Sequence, residues 1–254
     1  MNKVWNLACA TLAFFAVLGT ASAADENVTE SRSIDARVVR VKLDGIIDLK
    51  LRQGPTAALV ISGEKRWIGK TTTVQNGDTL QIDTETHGFK MHNNGLHAEL
   101  TLPNLRELTS EGMGATEITG FSGDELELSL EGAGAMKINC NYKTIYVSLG
   151  GVGSMNLQGL NAETIDVDLR GAGYVTLAGR GKTLKANLGG LGGLDAEKFS
   201  VESANLDLSG LGNASITAKQ TATLNLSGLG SVTVYGKPAN RNVSVDGLGR
   251  VSWK

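Results

Sequence analysis

The sequence predicts an all-β fold: a single-stranded parallel β-helix, or β-solenoid, of eight regular coils of about nineteen residues, preceded by irregular β coils. Three observations predict it. Glycine pairs that bracket one residue recur at Gly112/Gly114, Gly132/Gly134, Gly151/Gly153, Gly171/Gly173, Gly190/Gly192, Gly210/Gly212, Gly228/Gly230 and Gly247/Gly249, their first members 20, 19, 20, 19, 20, 18 and 19 apart. Apolar residues stand two apart on both sides of every pair but the first. All variation in coil length falls in the other connection of the coil. A fixed period of this size marks a repeat architecture, in which each unit completes its apolar face only when its neighbour stacks on it.

Counted from the bracketed residue, positions minus five, minus three, plus three and plus five read Leu224, Leu226, Val232 and Val234 in one coil and Val167, Leu169, Val175 and Leu177 in another. A spacing of two is the strand period, with side chains alternating between faces. The bracketed residues Met113, Ala133, Val152, Ala172, Leu191, Leu211, Leu229 and Leu248 are apolar as well, so that of the 40 positions in these five columns only Ser110 and Thr116 are not. The in-facing parity is therefore expected to change across each Gly-x-Gly, carrying the bracketed residue around the bend into the core. Glycine suits such a corner because a Cβ opposes tight backbone angles and close approach of neighbouring coils. Eight residues separate Ile216 from Leu224, nine separate Ile138 from Val147 and ten separate Leu157 from Val167, so the opposite corner is the adjustable one. Stacked at about 4.8 Å, eight coils make a rod of roughly 35 to 40 Å.

Residues 31–110 read as short alternating strands over 37–43, 46–51, 57–61, 80–82 and 96–102, with Asn76-Gly77-Asp78 as a hairpin turn. Lacking the glycine period, residues 24–111 are expected to form irregular coils that cap one end, before the repeats over 112–254, the whole being one continuous domain over 31–254. At the other end Trp253 stands in the plus-five column and is expected to close the last layer.

The first 23 residues carry Lys3, an apolar run over 7–18 and the tripeptide Ala21-Ser22-Ala23, the pattern of a cleavable secretory signal. The run is shorter than the roughly 20 residues that cross a bilayer, so no transmembrane segment is expected after cleavage. Cleavage removes one of 24 basic residues, so 23 face 26 acidic ones and the net charge moves from −2 to −3. That balance gives no pull toward nucleic acid. Of the two cysteines only Cys140 would remain, so no intrachain disulfide forms and stability must come from packing.

The segments Gly45-Ile46-Ile47-Asp48-Leu49-Lys50-Leu51-Arg52-Gln53-Gly54, Asn76-Gly77-Asp78-Thr79-Leu80-Gln81-Ile82 and Leu102-Pro103-Asn104-Leu105, followed by Gly112-Met113-Gly114, resemble the putative auto-transporter adhesin family with the head GIN domain. The resemblance implies a right-handed β-helix, export to the periplasm, outer-membrane surface or medium of a Gram-negative bacterium, an adhesive role and a homo-oligomer, a trimer. The chain departs from the family in its alanine and leucine corner centres, where small polar residues are common, so a function resting on polar corners does not carry over.

His87, His92 and His97 are the only histidines. Their spacing of five alternates strand faces and no cysteine or carboxylate pattern accompanies them, so a loop is expected rather than a metal site. Calcium solenoids repeat every nine residues with an Asp after the glycines; here the period is doubled and no Asp follows, and no metal or other cofactor is expected. The outward minus-four column holds Thr109, Ser129, Ser148, Asp168, Asn187, Asp207, Asn225 and Ser244, all small and polar. A solvated face of mutually bonded side chains accounts for it, and the sharper expectation is a flat binding surface for a host or envelope glycan or protein. Sugar-cleaving chemistry needs paired carboxylates in a cleft, or a base with a cation, and the short corners build no cleft walls. The expectation is thus an exported non-enzymatic adhesion or binding module with no catalytic residues, the alternatives being a structural envelope spacer and a polysaccharide-acting enzyme.

Overall fold

The computed structural model of the chain describes residues 26–85 and 95–254, so the segment expected to be a secretory signal, His87 and His92 lie outside the described residues. The strands are β1 Asn27–Arg32, β2 Arg40–Asp44, β3 Asp48–Gln53, β4 Ala58–Glu64, β5 Thr71–Asn76, β6 Thr79–Thr84, β7 His97–Leu102 and β8 Glu107–Ser110, with a one-turn helix α1 Lys65–Ile68 between β4 and β5. There follow β9 Met113–Leu130, β10 Ala133–Leu149, β11 Val152–Leu169, β12 Ala172–Leu188, β13 Leu191–Leu208, β14 Leu211–Leu226, β15 Ser231–Tyr235, β16 Asn240–Val245 and β17 Arg250–Trp253. Successive long strands pair in parallel with each Gly-x-Gly level with the next, so eight corners bound a β-solenoid of about seven turns. Among the described residues no helix is long and apolar enough to cross a membrane.

The minus-five, minus-three, plus-three and plus-five columns line the core, and every member is buried except the four in the last coil, Val243, Val245, Val251 and Trp253. Trp253 does not close that layer as expected: its ring is half-buried under the Arg241 guanidinium, 4.4 Å from the ring centroid, and Val243 and Val245 stay exposed.

The bracketed residues point the other way from expectation. Leu191 is 57% exposed, Leu211 52%, Leu229 60% and Val152 61%. Parity does not change at the corner: positions minus five to plus five alternate without a break, so the even positions, zero included, face out. The two glycines hold the odd positions, where there is no room for a side chain. A Cβ on Gly151 would lie 1.9 Å from the Gly132 carbonyl oxygen of the coil below, and one on Gly171 would lie 2.0 Å from that of Gly151. The corner is held by backbone alone: the Val152 N–H donates to Gly132 O at 2.9 Å and the Ala172 N–H to Gly151 O at 2.9 Å.

The opposite corner differs from the simple alternation of strand and loop. Through β9–β14 pairing persists across it, so each of these coils is one bent strand, whereas the last such corner, 236–239, is a loop between β15 and β16. The register shifts of the β9–β14 ladder fall at this corner, for example between Asn139 and Thr144 and between Leu157 and Leu160. These bulges absorb the variation in coil length.

Below the first glycine pair lies a coil that the sequence period hides. Ile46 bridges to Met113, Val41 stands level with Leu108, and Leu49 and Leu51 stand level with Thr116 and Ile118. Around Ile46 the apolar offsets are those of the repeat, but Ile47 replaces the second glycine. The next layer out is written later in the chain: Leu80 and Ile82 of β6 stack on Val41 and Leu43, and Ala98 and Leu100 of β7 stack on Leu49 and Leu51. Antiparallel strands finish this end, β5 on β6 across the Asn76-Gly77-Asp78 turn, β4 on β7 and β1 on β4. Helix α1 lays Trp67 and Ile68 into the core, and the Arg32 guanidinium donates to the carbonyls of Thr71 at 2.6 Å and Ile68 at 3.1 Å.

Candidate functional site

Three outward features run the length of the rod. The first is the polar column expected from sequence. Strand register brings Ser129, Ser148, Asp168, Asn187, Asp207, Asn225 and Ser244 into one ladder, each level with the next. Part of its hydrogen-bonding capacity is used internally, since Asn225 Nδ2 donates to Asp207 Oδ1 at 2.6 Å, Ser129 Oγ to Glu131 Oε1 at 2.7 Å, and Arg170 pairs with Asp168. That pairing raises the Arg170 guanidinium further, through its hydrogen bond to Asp168.

The second is the ridge of corner centres, Met113, Ala133, Val152, Ala172, Leu191, Leu211, Leu229 and Leu248, one per coil. Sequence reasoning assigned these to the core because they are apolar; the glycines on either side carried the contrary signal, since alternation places them, not the residue between, at in-facing positions.

The third is a groove of about 860 Å³ along the adjustable corner. Its rungs carry Asp124, Lys143, Glu163, Lys182, Glu202 and Lys219 on six successive coils, acid and base alternating, with Asn141, Asn161, Ser122, Ser200 and Gln220 between them. Lys143 Nζ lies 2.6 Å from Asp124 and Lys182 Nζ 3.0 Å from Glu163. The hydrogen bond from Lys143 holds the Asp124 carboxyl below its usual value and raises the Lys143 ammonium in turn. This ladder was missed from sequence, although its sign alternates in step with the coil period. Beneath it Tyr142 turns inward and its hydroxyl donates to Leu105 O at 2.7 Å, while burial pushes the Cys140 thiol up to about 12.

Acid catalysis on a glycosidic bond at neutral pH calls for a carboxyl with a raised pKa beside an ionised one. In the groove each acid is separated from the next by a lysine rung, and Asp124 is shifted in the opposite direction. At the capped end His97, the one histidine among the described residues, lies 3.5 Å from Asp48, whose other oxygen accepts the Ala115 N–H at 2.7 Å. The described residues contain no group of three or more metal-ligating side chains.

The sequence model of the family described as putative auto-transporter adhesin, head GIN domain, matches residues 38–238. No curated protein matches the sequence. Among solved structures, a putative adhesin of Parabacteroides distasonis superposes with a TM-score of 0.83 at 18% identity, over 90% of this chain and 97% of that one. A putative adhesin of Parabacteroides merdae gives 0.81 at 19% identity, over 90% and 96%. A putative lipid binding protein of Parabacteroides distasonis gives 0.79 at 18% identity, over 89% and 96%. At such identities the likeness speaks to the fold alone.

Proposed function

Since the chain belongs to the family of putative auto-transporter adhesins with the head GIN domain, we propose that it is an exported, non-enzymatic adhesion module that holds an extended polar polymer, a glycan chain, along its adjustable-corner groove. The observation that carries this reading is the groove itself: an open channel whose hydrogen-bonding rungs repeat at the coil rise of about 4.8 Å, a spacing that suits a linear sugar chain lying along the rod. Alternating lysine and carboxylate rungs, with Arg180 beside them, offer donors and acceptors in turn to hydroxyls and to a charged substituent, and the four bases against three acids leave a net charge of only +1. The flat sheet between this groove and the glycine corner carries the column Ser129, Ser148, Asp168, Asn187, Asp207, Asn225 and Ser244, and extends the contact surface beyond the groove. The signal-like pattern of the first 23 residues supports export, and the pairing of Asp124 and Glu163 with lysines supports binding without cleavage.

Binding of the purified chain to an array of neutral and acidic polysaccharides tests the proposal. Retention of at least one polymer, lost in Lys143→Ala/Lys182→Ala and weakened in Ser148→Ala/Asn187→Ala, is expected. Retention of none, or retention untouched by the groove variant, sinks the groove reading. Shortening of pectin, alginate or a glycosaminoglycan on incubation would make the protein an enzyme and overturn the non-enzymatic half.

A further inference from the structure

The ridge of corner centres is a surface that the glycan reading does not use. It is about 34 Å long at a rise of about 4.8 Å per coil, and it exposes a large aliphatic side chain on most coils, from Met113 to Leu248, which is 87% exposed. Soluble monomers seldom leave a contiguous apolar patch above a few hundred Å² open to water. With the outward columns at minus two and plus two the strip is roughly 20 Å wide, which brings it near the ~800 Å² per partner of a standard interface.

The flanking columns say what fits against it. The minus-two column reads Glu111, Glu131, Gly150, Arg170, Gly189, Ser209, Ser227 and Asp246, and the plus-two column Ala115, Ala135, Ser154, Tyr174, Gly193, Asn213, Ser231 and Arg250. When two such ridges face each other about a two-fold axis parallel to the rods, each coil meets its own copy, and the minus-two residue of one chain faces the plus-two residue of the other. Asp246 then faces Arg250, Arg170 faces the exposed ring of Tyr174, Ser209 faces Asn213, and Glu111 and Glu131 face alanine methyls. By symmetry every pairing occurs twice. Turning one rod end for end instead sets minus-two against minus-two with the coil order reversed, and Glu111 then faces Asp246. Charge complementarity therefore selects the parallel arrangement.

We propose that the ridge is a self-association surface through which two copies of this chain, in place of the trimer that the family resemblance implies, lie side by side, parallel and in register, leaving both adjustable-corner grooves on the outside. Such a pairing doubles the valency of the groove without using any of its residues.

Light scattering coupled to size exclusion at tens of micromolar tests it. A mass of two protomers is expected for the native sequence, and of one protomer for Leu191→Glu/Leu211→Glu/Leu229→Glu with an unchanged β circular-dichroism spectrum. A mass of one or three protomers for the native chain, or a dimer that survives the triple substitution, overturns the proposal. Asp246→Lys, at an exposed position whose carboxylate accepts only a long hydrogen bond from Ser244 Oγ at 3.4 Å, reads the orientation. It weakens a parallel dimer by about tenfold, with recovery in Asp246→Lys/Arg250→Glu, whereas strengthening would mean the antiparallel arrangement and end the proposal. Lys143→Ala/Lys182→Ala is expected to leave the mass unchanged, so loss of glycan binding and loss of the dimer are read separately.

Discussion

The two corners of each coil solve the same problem, reversing the chain between stacked strands, by opposite means. At the glycine corner the turn has constant length, backbone touches backbone, and no side chain stands between coils, so the one residue that can vary projects into solvent. At the adjustable corner the ladder continues through bulges, length varies, and side chains do the joining: Asp124 to Lys143 and Glu163 to Lys182. This solenoid thus puts its hydrogen-bonding and charged diversity where its geometry is loose. Where its geometry is tight, it presents one uniform column.

A methyl group placed in the tight corner should have the largest effect. Gly190→Ala sets a Cβ 2.0 Å from the Gly171 carbonyl oxygen, whereas at its neighbour Gly189 the nearest atom is Ser209 Oγ at 3.7 Å. Urea unfolding should show a loss of at least about 3 kcal/mol, or no folded protein, for the first, and less than about 1 kcal/mol for the second. Equal losses would mean that the corner yields more readily than its packing implies.

Next in size is the contrast between core and ridge at two leucines five residues apart on one coil. Leu206→Ala removes a buried side chain and should cost about 2–5 kcal/mol, while Leu211→Ala, measured on dilute protein, should cost under about 0.5 kcal/mol. A comparable cost for both would return the ridge to the core, as the apolar pattern alone suggests.

Cys140 probes whether the adjustable corner opens by itself. Buried, with its thiol held up to about 12, it should resist a thiol reagent at pH 8 until the chain unfolds globally. Rapid labelling in native buffer would show that this corner opens on its own. Because the folded thiol is raised, its contribution to stability is complete below the unfolded value of about 8.5 and is lost as pH rises toward 12.

The smallest effect belongs to the charge ladder. Lys143→Glu places a third acid between Asp124 and Glu163 and should lower the melting temperature slightly in dilute buffer, with the difference vanishing in molar salt. The native Asp124 carboxyl is depressed, so its contribution is present above about pH 4 and fades as pH falls through its folded value. A salt-independent loss at Lys143→Glu would mean that packing, not charge, joins these rungs.

How much of this was legible follows from what each feature needs. Columns such as Leu206, Leu208, Leu194 and Ala196 could be read directly, because a strand's period of two translates burial into sequence spacing without reference to anything distant. The polar ladder was legible for the same reason. The coil around Ile46 was not, because Ile47 removed the second glycine and 67 residues separate Ile46 from Met113, the partner that fixes its level. Nor was the groove, since an acid or base on one coil gains meaning only from the neighbour that the register sets beside it.

The repeat, its strands, its buried columns and the place of its bends are local properties of the amino-acid order, because alternation and glycine act within a few residues. Which way the corner centres face, the order in which the first coils stack, and how each end finishes are settled only when coils pack on one another. Those outcomes depend on the space left by a neighbouring coil, and the 1.9 Å between a Cβ on Gly151 and the Gly132 carbonyl exists only once one coil lies on another.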